Sequence, residues 1–246
     1  MIERSEPIAW VEADWPYGGR LRALTTTRAG GVSEAPCGGF NLADHVGDDP
    51  AHVAANRDIL ARYLGALPIQ WLEQVHGVRA VEAGQEALPR ADAVWTTTPG
   101  QVLAVLTADC LPVVLADRAG QAIAVAHGGW RGLVDGILSE TVAAMPVQPE
   151  IAWLGPAIGA DVYEVGDEVL DQVLRKDPQY HSALRPGPLP GKGYLDLATL
   201  AALQLSGLGV GEVYKSGLST WDSERFYSYR REGRTGRMAT LAWLSP

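Results

Sequence analysis

The sequence predicts a protein of the α/β class, with mixed sheets covered by helices. Short continuous apolar runs rich in Val, Leu and Ala recur through the middle of the chain, and runs of that kind read as strands buried on both faces. Around them lie segments with helix start and stop signals. The 28 Gly and 16 Pro of the 246 residues are spread over many short turns, as strand-to-helix junctions require, and no linker divides the chain. The expectation is one domain over residues 1–246.

Taken in order, residues 8–11 and 21–26 read as strands. Residues 28–50 carry Gly30-Gly31, Pro36, Gly38-Gly39 and Asn41, which predicts a long structured loop, and such loops are often functional. Asp49-Pro50 then gives an N-cap followed by proline at the first helical position. The helix is expected to stop at Gly65, with Ile59, Leu60, Tyr63 and Leu64 on its inner face. Strands are expected at 69–75, 93–96, 102–106, 113–115, 122–126 and 151–154, and closing strands at 210–215 and 238–244. Helices are expected at 133–144, 168–174 and 195–205. Trp10, Trp71, Trp95, Trp153 and Trp243 fall in strand-like runs and read as core.

Composition narrows the function. Hydrophobic residues make up 47% and charged residues 20%, an ordinary globular balance rather than a disordered one. The 20 Lys+Arg against 29 Asp+Glu give a net charge of -9, which argues against a nucleic-acid surface while leaving room for a local anion pocket. No apolar run approaches the length of a membrane span, and the first residues do not resemble a signal peptide. Cys37 and Cys110 alone make no disulfide framework, so the expected address is the cytoplasm. Five His are too few for the several coppers of a blue multicopper oxidase.

Three motifs place a metal-competent residue at a strand end: Gln74-Val75-His76-Gly77, Thr107-Ala108-Asp109-Cys110-Leu111-Pro112 and Ala126-His127-Gly128-Gly129-Trp130-Arg131-Gly132. Strand ends of α/β sheets are where distant side chains converge on a crevice. Two imidazoles and a thiolate suit zinc or copper, and three protein ligands leave a position open. The spacing itself is weak, because no tight Cys or His pair is present. Taken singly, Cys110 also reads as an inert buried thiol and His76 as a turn histidine. Gly128-Gly129 permits close approach of backbone to a ligand, and Arg131 supplies a positive fork for phosphate or carboxylate.

Together with Thr26-Thr27-Arg28, Gly30-Gly31, Gly39-Phe40-Asn41-Leu42 and Phe226-Tyr227-Ser228-Tyr229-Arg230-Arg231, these motifs resemble the YfiH family, which is related to a mammalian laccase-domain protein. The match runs from about Thr25 to Leu244. Members have been called polyphenol oxidases, peptidoglycan editing factors and purine nucleoside phosphorylases with adenosine deaminase activity. The resemblance implies a layered α/β/β/α fold with mixed sheets and a metal site on His76, Cys110 and His127, with zinc as cofactor or copper in its place. It implies a nucleoside and phosphate as the small-molecule partners, adenosine, inosine and methylthioadenosine among the nucleosides.

Other residues carry two readings each. Arg28 binds phosphate or a ribose hydroxyl, or is a turn arginine; Asn41 fixes a ligand, or holds a turn. Asp109 orients an imidazole or polarises a water, and reads equally as structural. His45 is kept as a residue behind the ligands, Asp92 reads as a strand-start turn residue, and His52, His181 and Cys37 read as bystanders. In the aromatic and basic tail, Tyr229 offers a stacking face for a purine and Arg230 or Arg231 a phosphate contact. The leading function is metal-dependent purine nucleoside phosphorolysis, with His76, Cys110, His127 and Asp109 as catalytic residues and Arg28, Asn41, Arg131, Tyr229 and Arg230 as substrate-binding residues. Adenosine deamination at the same site lacks the H-x-E signature of zinc deaminases. The alternatives are a copper phenol oxidase, a hydrolase of cell-wall precursors using Cys110 with His127, and a nucleotide- or metal-binding accessory protein.

Overall fold

The computed structural model describes residues 7–246. Its strands are β1 (Trp10–Glu12), β2 (Leu21–Thr26), β3 (Ile69–Gln70), β4 (Ala80–Glu82), β5 (Ala93–Thr96), β6 (Val102–Thr107), β7 (Leu111–Ala116), β8 (Ile123–Gly128), β9 (Ile151–Leu154), β10 (Glu164–Gly166), β11 (Leu184–Pro186), β12 (Lys192–Leu195), β13 (Glu212–Lys215) and β14 (Met238–Leu244). Its helices are α1 (Pro50–Tyr63), α2 (Trp130–Asp135), α3 (Ile137–Ala144), α4 (Asp167–Lys176), α5 (Leu197–Gly207) and α6 (Tyr229–Glu232).

Two large sheets stack face to face. One has the order β1-β2-β14-β6-β3 and the other β13-β9-β7-β8-β5-β4, while β10-β12-β11 forms a small third sheet. Period-two alternation explains the layering. In β6, Leu103 and Val105 point into the core between the sheets, where they meet Val114, Ile123, Val125 and Trp153. The intervening Val102, Ala104 and Leu106 point the other way, onto Leu60 of α1. On the far side of the second sheet, Val113, Leu115 and Ala124 pack with Leu133, Ile137, Leu200 and Leu205 of the helices. The result is α1, sheet, sheet, helices: the α/β/β/α order. Every residue of β6, β7 and β8 is buried, as the apolar runs require.

Several boundaries differ from expectation, each for a local reason. The strand expected at 69–75 closes after Gln70. The Asp92 carboxylate takes the N–H groups of Val75, His76 and Gly77, so these amides turn away from any ladder. The helix expected at 133–144 begins earlier, at Trp130, and breaks at Gly136, whose φ of 108° is left-handed. The first strand shifts to Trp10–Glu12, and the closing segment at 210–215 narrows to Glu212–Lys215. On α1 the buried face is Val53, Asn56 and Leu60, and Tyr63 is exposed, its ring edge-on to Trp10 at 4.4 Å. Of the tryptophans assigned to the core, Trp153 and Trp243 are buried, whereas Trp10, Trp71 and Trp95 are half-buried; Trp15 joins the core instead. The short β4, β10, β11 and β12 carry too little apolar pattern to be read in advance. The aromatic and basic tail buries Phe226 and Tyr227 completely and turns into α6.

Candidate active site and metal centre

The connection from β6 to β7 crosses from one large sheet to the other in three residues, Ala108, Asp109 and Cys110. So tight a crossing needs an unusual backbone, and Asp109 adopts φ 96°. It is held there by its own groups. Asp109 Oδ1 accepts the Thr220 hydroxyl at 2.6 Å, Oδ2 accepts the Arg230 N–H at 2.7 Å, and its carbonyl accepts the Ile158 N–H at 2.9 Å. Cys110 is thereby placed where the two sheets part.

His127 reaches the same point from β8, paired in register with Pro112 of β7. His76 comes from the turn after β3, with φ 59°. Asp92, fully buried at the start of β5, organises both. Its Oδ1 accepts the His127 Nδ1–H at 2.8 Å and the His76 backbone N–H at 2.9 Å; its Oδ2 accepts Gly77 N–H at 2.7 Å and Val75 N–H at 3.2 Å. With Nδ1 occupied, His127 presents Nε2 to the site, the second-layer arrangement usual for ligating histidines.

One donor atom from each of His76, Cys110 and His127 lies within 4.8 Å of the others. Cys110 Sγ is 3.8 Å from His76 Nε2, and the two imidazoles are 4.6 Å apart between centroids at 76°. Gly129 closes the floor: a Cβ there would stand 2.9 Å from His76 Cδ2 and 3.3 Å from Cys110 Sγ. Exposure grades from buried His127 through half-buried Cys110 to exposed His76, so the cluster faces solvent on one side. Burial alone pushes the Cys110 thiol up, but the charges and hydrogen bonds of His127 and His76 outweigh it and bring its pKa down to about 6. Burial likewise opposes a charge on His127, yet Cys110 and Asp92 raise its pKa to about 9. Both directions describe a thiolate beside an imidazolium.

The cluster forms one end of a pocket of about 460 Å³, whose walls include His45, Gln74, Leu106, Thr107, Tyr229 and Arg237. Gln74 braces this wall, donating to the Leu106 carbonyl at 2.9 Å and accepting its N–H at 2.7 Å. The other residues singled out by sequence have different places. Arg28 pairs with Glu232 at 2.8 Å and lies over the Tyr227 ring. Asn41 is fully buried and accepts the N–H groups of Ala43 and Arg237. Arg131 and Arg230 line a neighbouring pocket of about 580 Å³ with Tyr163 and Lys192. Asp109, as described, is engaged by Thr220 and the Arg230 backbone. Tyr229, 61% exposed, stands at the rim of the cluster's own pocket, as does His45.

Sequence reasoning passed over Asp92 as an organiser, gave Thr107 no role beyond opening a motif, and did not name Arg237. The available signals were an acidic residue directly before the β5 apolar run and the Thr-Gly-Arg step before β14.

A two-sheet α/β/β/α sandwich with a two-imidazole, one-thiolate cluster where the sheets part defines a class of layered proteins with a metal-competent pocket. Residues 22–245 match the family described as multi-copper polyphenol oxidoreductase laccase, and the chain belongs to this family, the YfiH family. It is 47% identical over 239 residues to a Pseudomonas aeruginosa protein named purine nucleoside phosphorylase, covering 96% of this chain and 98% of that one. It is 44% identical over 238 residues to purine nucleoside phosphorylase YfiH of Escherichia coli, covering 94% and 96%. Among solved structures, a Neisseria meningitidis protein of the DUF152 family superposes with a TM-score of 0.92 at 44% identity, over 96% of this chain and 99% of that one. YlmD of Geobacillus stearothermophilus gives 0.89 at 31% identity, over 100% and 98%. Among the described residues, no helix is long and apolar enough to cross a membrane.

Proposed function

We propose that this chain is a metal-dependent purine nucleoside phosphorylase acting on adenosine, inosine and methylthioadenosine, with adenosine deamination as a second reaction. The observation that carries this reading is the open His76–Cys110–His127 cluster at one end of a nucleoside-sized pocket, in a chain whose full-length relatives bear the phosphorylase name. The donor set fits a resident ion. Its three donors converge, His127 is aimed by Asp92, Gly129 leaves the floor clear of a side chain, and the solvent side is open. His76, Cys110 and His127 would hold zinc, or copper in its place, and such an ion supplies a Lewis acid next to the reacting groups.

In phosphorolysis, a phosphate oxygen bonds to the anomeric carbon as the bond from that carbon to the purine nitrogen breaks. The purine leaves with the electron pair and takes up a proton. The protein's share is positioning and charge stabilisation. Tyr229 at the rim offers its ring to the base, and Gln74 keeps the Leu106 segment of the wall in place. The whole chain acts as one catalytic domain in this reading.

Purified, metal-quantified protein incubated with adenosine or inosine and phosphate is expected to yield ribose 1-phosphate and the free base by mass spectrometry. Inosine appearing from adenosine reports the deamination. His76→Ala removes both, and absence of any product from the wild-type chain refutes the reading. The low pKa of Cys110 beside His127 favours one rival, a thiol hydrolase. That rival predicts activity on amide substrates that survives chelation and is abolished by alkylation. Phenol oxidation with dioxygen by the copper-loaded protein, lost when redox-inert zinc takes its place, would instead favour the oxidase named by the family description.

A further inference from the structure

Arg237 is half-buried in the wall of the pocket that holds the cluster. Most of its hydrogen-bonding capacity is unspent. Its Nη1 donates to the carbonyls of Thr235 at 2.8 Å and Gly236 at 2.9 Å, which fixes the plane of the guanidinium. Among the described residues, its Nε and Nη2 have no partner, and no carboxylate lies within ion-pair reach. Of the other arginines singled out, Arg28 and Arg231 share Glu232 and Arg230 donates to the Glu164 carbonyl, while Arg131 lies over the Trp130 ring and lines the neighbouring pocket, not this one.

The backbone behind Arg237 is built to hold it. Buried Asn41 accepts the Arg237 N–H at 2.9 Å and is itself tied to Asp48 at 2.7 Å. Gly236 packs so closely that a Cβ would stand 2.7 Å from the Tyr227 ring and 3.0 Å from Asn41 Cβ. A second observation points the same way. Thr107 lines this pocket, is 1% exposed, and its hydroxyl has no hydrogen-bond partner. A buried hydroxyl left bare is destabilising, and one on a residue that lines a pocket is a polar group that a bound ligand or an ordered water would complete. The β6–β14 register pairs Thr107 with Met238, the residue after Arg237, and Thr107 and Arg237 both line this one pocket.

We propose that Arg237 and Thr107 form the oxyanion subsite of this pocket, with inorganic phosphate as its ligand, held beside the His76–Cys110–His127 cluster. This deepens the phosphorylase reading and rests on it for the role of the anion. A planar guanidinium with two free donor positions matches two phosphate oxygens, and the threonine hydroxyl donates to a third.

The test uses the full chain, with Thr107→Val, Arg237→Gln, Arg237→Lys and, as a surface control, Arg175→Gln. Initial rates of ribose 1-phosphate formation are measured against phosphate at saturating nucleoside. Arg237→Gln is expected to raise KM for phosphate roughly 10- to 100-fold and Thr107→Val roughly 3- to 10-fold, with KM for nucleoside changed by less than about two-fold. Arg237→Lys restores part of the loss, and Arg175→Gln matches wild type. Should Arg237→Gln fail to fold, Thr107→Val decides, because that hydroxyl has no partner to lose. An unchanged KM for phosphate in folded variants overturns the subsite while leaving the phosphorylase reading intact. If the wild-type chain does not phosphorolyse nucleosides, that reading fails separately, and calorimetric titration with inorganic phosphate decides the subsite. Binding weakened in Thr107→Val and Arg237→Gln upholds it; no binding by wild type, or equal binding by all variants, overturns it.

Discussion

Asp92→Asn probes the centre of the site at constant volume. The wild-type carboxylate is fully buried and accepts four donors, two on each oxygen. An asparagine keeps one acceptor oxygen and sets an NH2 group against the other two donors. Two charge-assisted hydrogen bonds are lost, each contributing about 1.5–3 kcal/mol. Partial relaxation of the exposed turn at His76 offsets some of this, leaving a destabilisation of about 3 kcal/mol, or a fall in Tm of roughly 6–12 °C for a chain of this size. If the amide keeps its oxygen on the Val75 and Gly77 amides, its NH2 faces His127 Nδ1 and favours the tautomer protonated on Nε2, the atom the cluster needs free. Metal affinity is then expected to fall roughly 10- to 100-fold. Urea denaturation of the metal-free protein gives the first quantity, and competition with a chromogenic chelator at fixed pH gives the second. The pH dependence supplies a third. Burial opposes ionisation of Asp92, but His127 and the backbone amides hold its carboxyl below the ordinary 3.8. Its contribution is therefore complete above that ordinary value and lost as pH falls through the lower folded-state value, so the variant loses that part of the acid sensitivity. Destabilisation with unchanged metal affinity would refute the argument that Asp92 aims His127.

Gly129→Ala should leave the fold intact by circular dichroism yet weaken metal binding roughly ten-fold, since its Cβ would stand 2.9 Å from His76 Cδ2; equal affinity would show that the floor can yield. In metal-free protein, iodoacetamide should alkylate Cys110 with a rate that rises through about pH 6, while buried Cys37, whose thiol burial pushes up, stays unmodified, as peptide mapping can establish. Added zinc should protect Cys110. Glu232 is opposed by burial but held down to about 2 by Thr235, Arg231 and Arg28. A depressed folded-state pKa means stability present above the ordinary 4.5 and lost as pH falls through about 2, so Arg28→Gln should lower stability above 4.5 by on the order of 1 kcal/mol after solvent screening, a difference that shrinks toward pH 2 and is read from unfolding curves across this interval.

The central strands were legible because β6, β7, β8 and β14 are buried on both faces, which leaves an unbroken apolar signal in the sequence. Helix α1 was legible by its cap, Asp49, whereas α5 was expected from residue 195 and its cap, Asp196, was read as part of the helix. His76, Cys110 and His127 stood out as polar residues closing apolar runs or meeting glycines, and their donor atoms do come within reach of one another. What sequence could not give was which side chains oppose them across space. Asp92 precedes a strand like many turn residues, and nothing local shows that it gathers amides from residues 75–77. Arg28 and Arg131 drew attention through their glycine neighbours. Yet which arginines remain unpaired depends on where Glu232 and Glu164 lie, a matter of tertiary packing alone.

The position of β14 has a consequence for how the protein is made. This strand lies between β2 and β6, its Thr240 hydroxyl 2.7 Å from that of Thr25, although 215 positions separate them along the chain. On the ribosome, β2 and β6 emerge long before the strand that joins them, so each waits with an unsatisfied edge while most of the polypeptide is translated. All three donor residues are synthesised well ahead of β14. A nascent chain therefore presents these donors before its pocket is complete, and until β14 arrives the facing edges of β2 and β6 stay open to mispairing.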